Sequence, residues 1–374
     1  MTSHGFTARP TRRLVLGALG AVVALTVAAC SSSGGSSTPP AQGSGSGSGS
    51  STAIEHPDLN VTFGTNSAST LPLWIAADQG FFKKNGLNVK VSQATSSVGA
   101  LAVVSGKADI YLGEATTTFQ AAASGQPVEL VGNLRILNVF KFYVQPSIKT
   151  AADLKGKSIA ISAQGDSTDL STRIAMQELG SSIDGITLLP IGTSGARIAA
   201  LESGKVAGTL LTEPTASQAA KDGMKLLLDQ TDKPFLGSGI TITKSFGDKY
   251  PNTVLAFLKS IVEATKYLQD PANKTTCINI LAKYSQEKPN DPDVTEGYAT
   301  YAAPGALVMD PTPNVAGGNA LLAGLKAEDS SRFASLKLSD VFNDTFTNEL
   351  KSSGFLKQVW GSALTASPSA SPAS

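Results

Sequence analysis

The sequence predicts an α/β chain folded as two similar lobes. Three observations lead to this expectation. Residues 60–91 read as strand, polar loop, helix, strand. A weak internal repeat follows, and two segments read as passages between the halves of the repeat.

The first stretch organises the rest. Residues 60–63 form a short apolar strand, and Gly64, Thr65, Asn66, Ser67, Ala68, Ser69 and Thr70 follow as a polar loop. A helix then opens. Ser69 or Thr70 is suited to cap its free N–H groups, and Pro72 suits its first turn. Trp74, Ile75 and Ala77 give the helix an apolar side, and Gly80 or Gly86 ends it. Residues 87–91 alternate as a second strand. The loop therefore lies at the carboxyl end of a strand and the amino end of a helix, where open α/β sheets hold small ligands.

The repeat pairs residues 96–110 with 194–208, with the register marked by Ser105-Gly106-Lys107 and Ser203-Gly204-Lys205. Each copy reads as capped helix, glycine stop and strand. Gln120-Ala121-Ala122 then matches Gln218-Ala219-Ala220. Glu114 and Glu213 fall in corresponding strand-to-helix loops, one residue out of register. Two matching units of this length point to two lobes and exclude a solenoid. The passages between lobes are expected near 135–148 and at 238–243. The first lobe is then 58–138 plus 241–361, and the second 139–240. Residues 251–360 read as mostly helical, with apolar Val254, Leu255, Phe257, Leu258, Ile261 and Val262 at helical spacing.

The chain has 374 residues, 41% hydrophobic and 16% charged, enough for two domains with real cores. Its 30 basic and 29 acidic residues become 27 and 29 once Arg9, Arg12 and Arg13 are left out. So near-neutral a chain has no general electrostatic footprint for nucleic acid. Arg12 and Arg13 precede a short apolar run, 14–29, which reads as a signal peptide. Residues 31–51 are Ser/Gly/Pro-rich and extend as a tether to residue 57; residues 362–374 read as a disordered tail.

Catalytic chemistry finds little support. The histidines are His4, in the signal segment, and His56, placed in the tether, so no Ser–His, Cys–His or zinc arrangement is expected. Cys30 ends the signal segment, which leaves Cys277 without an intrachain partner; it reads as a structural thiol. Gly156-Lys157-Ser158 lacks the upstream glycine of a phosphate-binding loop, Ala151 standing there, and it precedes its strand. No cofactor and no metal are expected.

"PLWIAADQGFFKKNGLNVKV" resembles the opening of the nitrate/sulfonate/taurine (SsuA/THI5-like, NMT1-type) family of ABC-transporter solute-binding proteins. "DLKGKSIAIS" at 153–162 resembles the start of that family's second lobe, and Glu213-Pro214 its cleft motif. The resemblance spans about 60–355. It implies a two-lobed periplasmic-binding-protein-like (type II) fold, each lobe a mixed sheet flanked by helices, with a hinge of two crossing segments. It also implies a monomer that captures a small solute between the lobes and delivers it to an ABC permease with a separate ATPase subunit. Val27-Ala28-Ala29-Cys30 resembles a lipobox, implying lipidation of Cys30 and a membrane anchor on the extracytoplasmic face; residues 11–16 also resemble a twin-arginine signal.

The expected ligand contacts lie on the loops facing the cleft: Asn66, Ser67 and the adjoining Leu71; Ser97; Glu114 and the adjoining Ala115; Arg135; Gly165, Ser167 and Thr168; and Glu213. Ser167 or Thr168 is expected to cap the helix after 162. Sulfonate, taurine, nitrate and aromatic nitrogen heterocycles all occur within the resemblance. Glu114 and Glu213 favour a nitrogen-bearing ligand with N–H donors. Rival readings are an enzyme of the same fold acting on a pyrimidine-like ring, opposed by the lack of histidine and clustered cysteine, and a lipoprotein receptor without transport.

Overall fold

The computed structural model describes residues 53–64, 66–94, 99–164 and 166–366. The stretch read as a signal segment, Cys30, most of the expected tether, Ser97 and Gly165 lie outside the described residues. No described helix is long and apolar enough to cross a membrane.

Among the described residues ten strands form two five-stranded mixed sheets. The first contains β1 (Asp58–Phe63), β2 (Asn88–Gln93), β3 (Ile110–Gly113), β4 (Val128–Leu137) and β10 (Pro234–Thr243), in the order β2-β1-β3-β10-β4. The second contains β5 (Lys141–Val144), β6 (Ser158–Ile161), β7 (Thr187–Pro190), β8 (Gly208–Leu211) and β9 (Lys225–Asp229), in the order β7-β6-β8-β5-β9. In the first sheet β1, β2 and β3 are parallel, and β10 runs antiparallel to β3 and β4. In the second, β6, β7 and β8 are parallel, and β5 runs antiparallel to β8 and β9. Each lobe is thus three parallel strands, one antiparallel strand and an outer strand. The sequence repeat falls on the helices Gly99–Val104 and Ser194–Glu202 and ends where β3 and β8 begin.

The expected fold class holds, with sharper boundaries. β10 pairs from Pro234, opposite Leu137, so the chain returns to the first sheet before the expected limit at Ile240. The passages are 138–140 and 230–233, and backbone bonds join them: Asn138 N–H donates to Lys233 O and Gln230 N–H to Phe140 O. The Asn138 and Gln230 side chains are buried, and both reach Ser171 on the helix Ser167–Glu178. A hinge of two short strand connections is therefore tied by side-chain amides whose lone pairs and N–H groups water does not reach.

Two segments expected to be loose are packed. His56 stacks on Tyr250 at 4.9 Å, and Glu55 accepts from the N–H groups of Asn252 and Thr253. Residues 53–57 therefore belong to the first lobe and not to the tether. Gly361–Ala366 forms a 3-10 turn that sets Leu364 against the core, past the expected tail boundary.

The larger core lies in the first lobe. The helix Leu71–Asp78 is apolar on all sides up to its last residue, with Leu71, Leu73, Trp74, Ile75 and Ala76 fully buried against the helices Pro251–Gln269 and Lys274–Ser285. Pro72 sits in its first turn as expected, but Thr70 makes no side-chain cap; the 3-10 turn Ala68–Thr70 leads in instead. Trp74 stacks flat on Tyr284 of the helix Lys274–Ser285, which carries Cys277 fully buried. Burial lifts the Cys277 thiol to about 11, so it is protonated at neutral pH and unreactive.

Candidate functional site

A cavity of about 300 Å³ lies where the loops at the strand carboxyl ends of both sheets meet. The first lobe supplies Asn66, Ser67 and Ala68 from the loop after β1. It also supplies Leu281 and Ser285 at the end of the helix Lys274–Ser285, Glu287 just beyond it, and one face of the helix Pro292–Ala302. The second lobe supplies the loop after β6, the start of the helix Ser194–Glu202, and Thr212 just after β8. Phe140, in a hinge passage, forms part of the wall.

Local sequence sets each wall. After β6, Asp166 caps the helix Ser167–Glu178. Its Oδ1 accepts from Thr168 N–H at 2.9 Å, Asp169 N–H at 3.1 Å and the Thr168 hydroxyl at 2.7 Å, and Ser162 Oγ donates to its Oδ2. The expected caps, Ser167 and Thr168, are instead first-turn residues, because the carboxylate one position earlier has the reach for two N–H groups. Ser167 is thereby released to donate to Glu114 Oε1 at 2.6 Å, across the lobes. After β7, Thr193 caps the helix Ser194–Glu202, and one turn on Arg197 folds back toward the same end. Its guanidinium donates to Gly192 O, to Ser194 Oγ at 3.1 Å and to Leu210 O at 3.4 Å. Arg197 is 4% exposed, lines the cavity, and its Nε finds no acceptor among the described residues.

The helix Pro292–Ala302 closes the opposite wall. Asp291 caps it, and Val294, Tyr298 and Tyr301 hold it to the first-lobe core. Its cavity face carries Asp293, Glu296 and Tyr301. Asp293 Oδ1 accepts from Gly195 N–H at 2.9 Å, at the free amino end of the helix Ser194–Glu202. Glu296 Oε1 accepts from Thr212 Oγ1 at 2.6 Å and Thr215 Oγ1 at 3.0 Å. These contacts and the Ser167–Glu114 bond join the lobes with one logic: carboxylates of the first lobe accept from hydroxyls and an N–H of the second.

Behind the wall lie two further ionisable groups, Arg135 and Glu114. Arg135 on β4 is fully buried, donates to Tyr301 Oη at 2.8 Å and lies 4.4 Å above the Phe235 ring. Gly237 makes room for it: a Cβ there would stand 2.6 Å from Nε. Burial pushes the Glu114 carboxyl above its ordinary range, and the Arg135 charge opposes that rise. Burial raises Glu296 too, offset in part by its two threonine donors.

The expected residues therefore divide. Asn66, Ser67, Ser167 and Thr168 line the cavity. Glu114 and Arg135 lie directly behind it. Leu71 and Ala115 are fully buried core residues, Leu71 in the first-lobe core and Ala115 in the cluster with Phe119 and Leu130, and neither lines the cavity. Glu213 does not reach it either: its carboxylate is half exposed and pairs with Lys141 Nζ at 2.8 Å. The reason is side-chain alternation. Thr212 directly follows β8 as Glu114 directly follows β3, so the residue after it points the other way. Arg197, Asp293, Glu296 and Tyr301 were not singled out. For Arg197 the signal was the cap Thr193, four residues ahead of it, which puts the arginine one turn into the helix. Among the described residues no cluster of His, Cys, Asp and Glu is arranged to hold a metal.

The comparisons agree with this architecture. The chain is 28% identical over 234 residues to the taurine-binding periplasmic protein of Escherichia coli (strain K12), covering 59% of this chain and 70% of that one. A structure from Bordetella bronchiseptica RB50 superposes with a TM-score of 0.66 at 23% identity, over 80% of this chain and 99% of that one. The periplasmic aliphatic sulphonate binding protein SsuA from Escherichia coli superposes with a TM-score of 0.59 at 19% identity, over 76% and 91%. The model of the family described as NMT1/THI5 like matches residues 67–274, more than half of the chain, and the chain belongs to that family.

Proposed function

We propose that the chain is the extracytoplasmic solute-binding component of an ABC importer. A small organic solute enters between the lobes, contacts both, and shifts the hinge toward the closed arrangement, which then docks on a permease driven by a separate ATPase subunit. The observation that carries this reading is the cavity itself. It is walled by both lobes, sits at the strand carboxyl ends beside a two-passage hinge, and is lined by polar groups fixed on helix ends. Family membership and the relatives named as binding proteins support the same role. Catalysis is not needed for it: no histidine lines the cavity, and the one described cysteine is buried elsewhere.

The test is thermal unfolding of the purified chain against alkanesulfonates, taurine, nitrate, thiamine precursors and small amines. One class should stabilise it, by about 2.7 kcal/mol at a hundred times its dissociation constant. A folded chain that none of them stabilises, and that carries no small molecule by native mass spectrometry, would remove the solute-binding reading. Anchoring through Cys30 rests on the Val27–Cys30 motif. Cys30→Ser should move the protein from the membrane fraction to the soluble one; unchanged membrane association would exclude a lipid anchor at this residue.

A further inference from the structure

The charge balance of the cavity narrows the solute class. The walls present four carboxylates, from Asp166, Glu287, Asp293 and Glu296, against one guanidinium, Arg197. Residues 65, 95–98 and 165, which adjoin the cleft loops in sequence, are Thr, Thr, Ser, Ser, Val and Gly, so they add no charge. Glu114 and Arg135 lie behind the wall and are not part of the lining.

The four acids are not equivalent. Asp166 is saturated by its capping bonds. Glu296 is 5% exposed and lines the cavity; both its threonine donors bind Oε1, and among the described residues none donates to Oε2. Asp293 likewise meets Gly195 N–H with Oδ1 alone. Arg197 is one cation against four acids; its Nη atoms are tied to Gly192 O, Ser194 Oγ and Leu210 O, and only its Nε is without an acceptor among the described residues. Two carboxylates one helical turn apart thus face a confined space with acceptor capacity remaining. A bare anion placed there meets two carboxylates with Arg197 as its single counter-charge, whereas an ammonium group supplies both the missing charge and the N–H donors. Phe140, Tyr301, Val294 and Leu281 line the rest with apolar surface, suited to a carbon body.

We infer that the solute of this cavity carries a protonated amine, held by Glu296 and Asp293, and that anions without an amine are poor ligands. The inference rests on the solute-binding reading above and departs from the sulphonate named for one structural neighbour. Isothermal titration of the full chain with 1,4-diaminobutane, phenethylamine, taurine, ethanesulfonate and nitrate tests it. Taurine and ethanesulfonate differ only in the amine. At least one amine-bearing probe should bind at least tenfold more tightly than ethanesulfonate and nitrate. Glu296→Gln should weaken that probe at least tenfold, while Glu213→Gln, on the outer surface, should leave it unchanged. Glutamine keeps an oxygen for Thr212 and Thr215, so the fold should survive; Asp293→Asn, expected to weaken the same probe, is the second variant. Ethanesulfonate or nitrate bound as tightly as every amine, or amine binding indifferent to both variants, overturns the inference and leaves solute binding standing. Silence from every probe overturns it as well, and the solute-binding reading then falls only if native mass spectrometry also finds no retained solute.

Discussion

Arg135→Ala should destabilise the chain by about 3–5 kcal/mol, read as a lower urea midpoint at neutral pH. Arg135 is fully buried, so truncation removes packing against Phe235, Phe140 and Tyr301 and leaves a cavity. It also strands two polar neighbours. Tyr301 Oη loses its donor, and Glu114 loses the one positive charge that opposes its burial. Arg135→Met separates the two causes, because the thioether chain keeps much of the packing and none of the charge. A methionine variant as stable as the native chain would sink the counter-charge account and leave packing alone. A methionine variant that recovers only part of the loss would assign the remainder to the buried charge.

Residue types made the lobes legible. Alternation at 87–91, the apolar run at 158–161 and the Ser-Gly-Lys pairs each report on local backbone geometry, and the sheets contain those strands where the pattern put them. Tertiary decisions were less visible. The β10 boundary was misplaced because Pro234, Gly237 and Gly239 do not look like strand residues. Yet β10 lies between β3 and β4, and Gly237 and Gly239 are places where Arg135 and Leu130 come too close for a Cβ. The candidate site was half legible. Loops following strands can be found from sequence, so Asn66, Ser67, Ser167 and Thr168 were within reach. The helix Pro292–Ala302 was not, because nothing local says that a proline-punctuated segment far along the chain returns to the cleft with Asp293 and Glu296 on its face. The one-residue offset between Glu114 and Glu213 was visible and decisive. In an extended segment it reverses the side chain, and it places Thr212, not Glu213, at the cavity.

Glu114→Gln should raise stability at neutral pH by about 1–3 kcal/mol, the cost of a buried carboxylate with an unpartnered oxygen outweighing the attraction to Arg135 that is lost with it. The carboxylate is buried, its Oε2 has no partner among the described residues, and Arg135 acts on it at long range instead of through an ion pair. Glutamine keeps an acceptor for the Ser167 hydroxyl and removes the desolvated charge. The pH dependence follows from the direction of the shift. Burial raises the Glu114 carboxyl in the folded state, so the folded chain holds that proton more tightly than the unfolded chain. The stability linked to it is fully present below the unfolded carboxyl pKa, about 4.3, and is lost as pH rises through the folded value. The advantage of the glutamine variant should therefore be small near pH 4 and complete once pH exceeds the raised carboxyl. Melting temperatures of both proteins across that range measure it, and an advantage that does not grow with pH would mean that Glu114 is not held as a buried acid. The double variant Glu114→Gln/Arg135→Met closes the cycle. If the two groups are coupled, it should be less destabilised than Arg135→Met alone by more than the gain of Glu114→Gln in the native background, since the carboxylate that most needs Arg135 is no longer there.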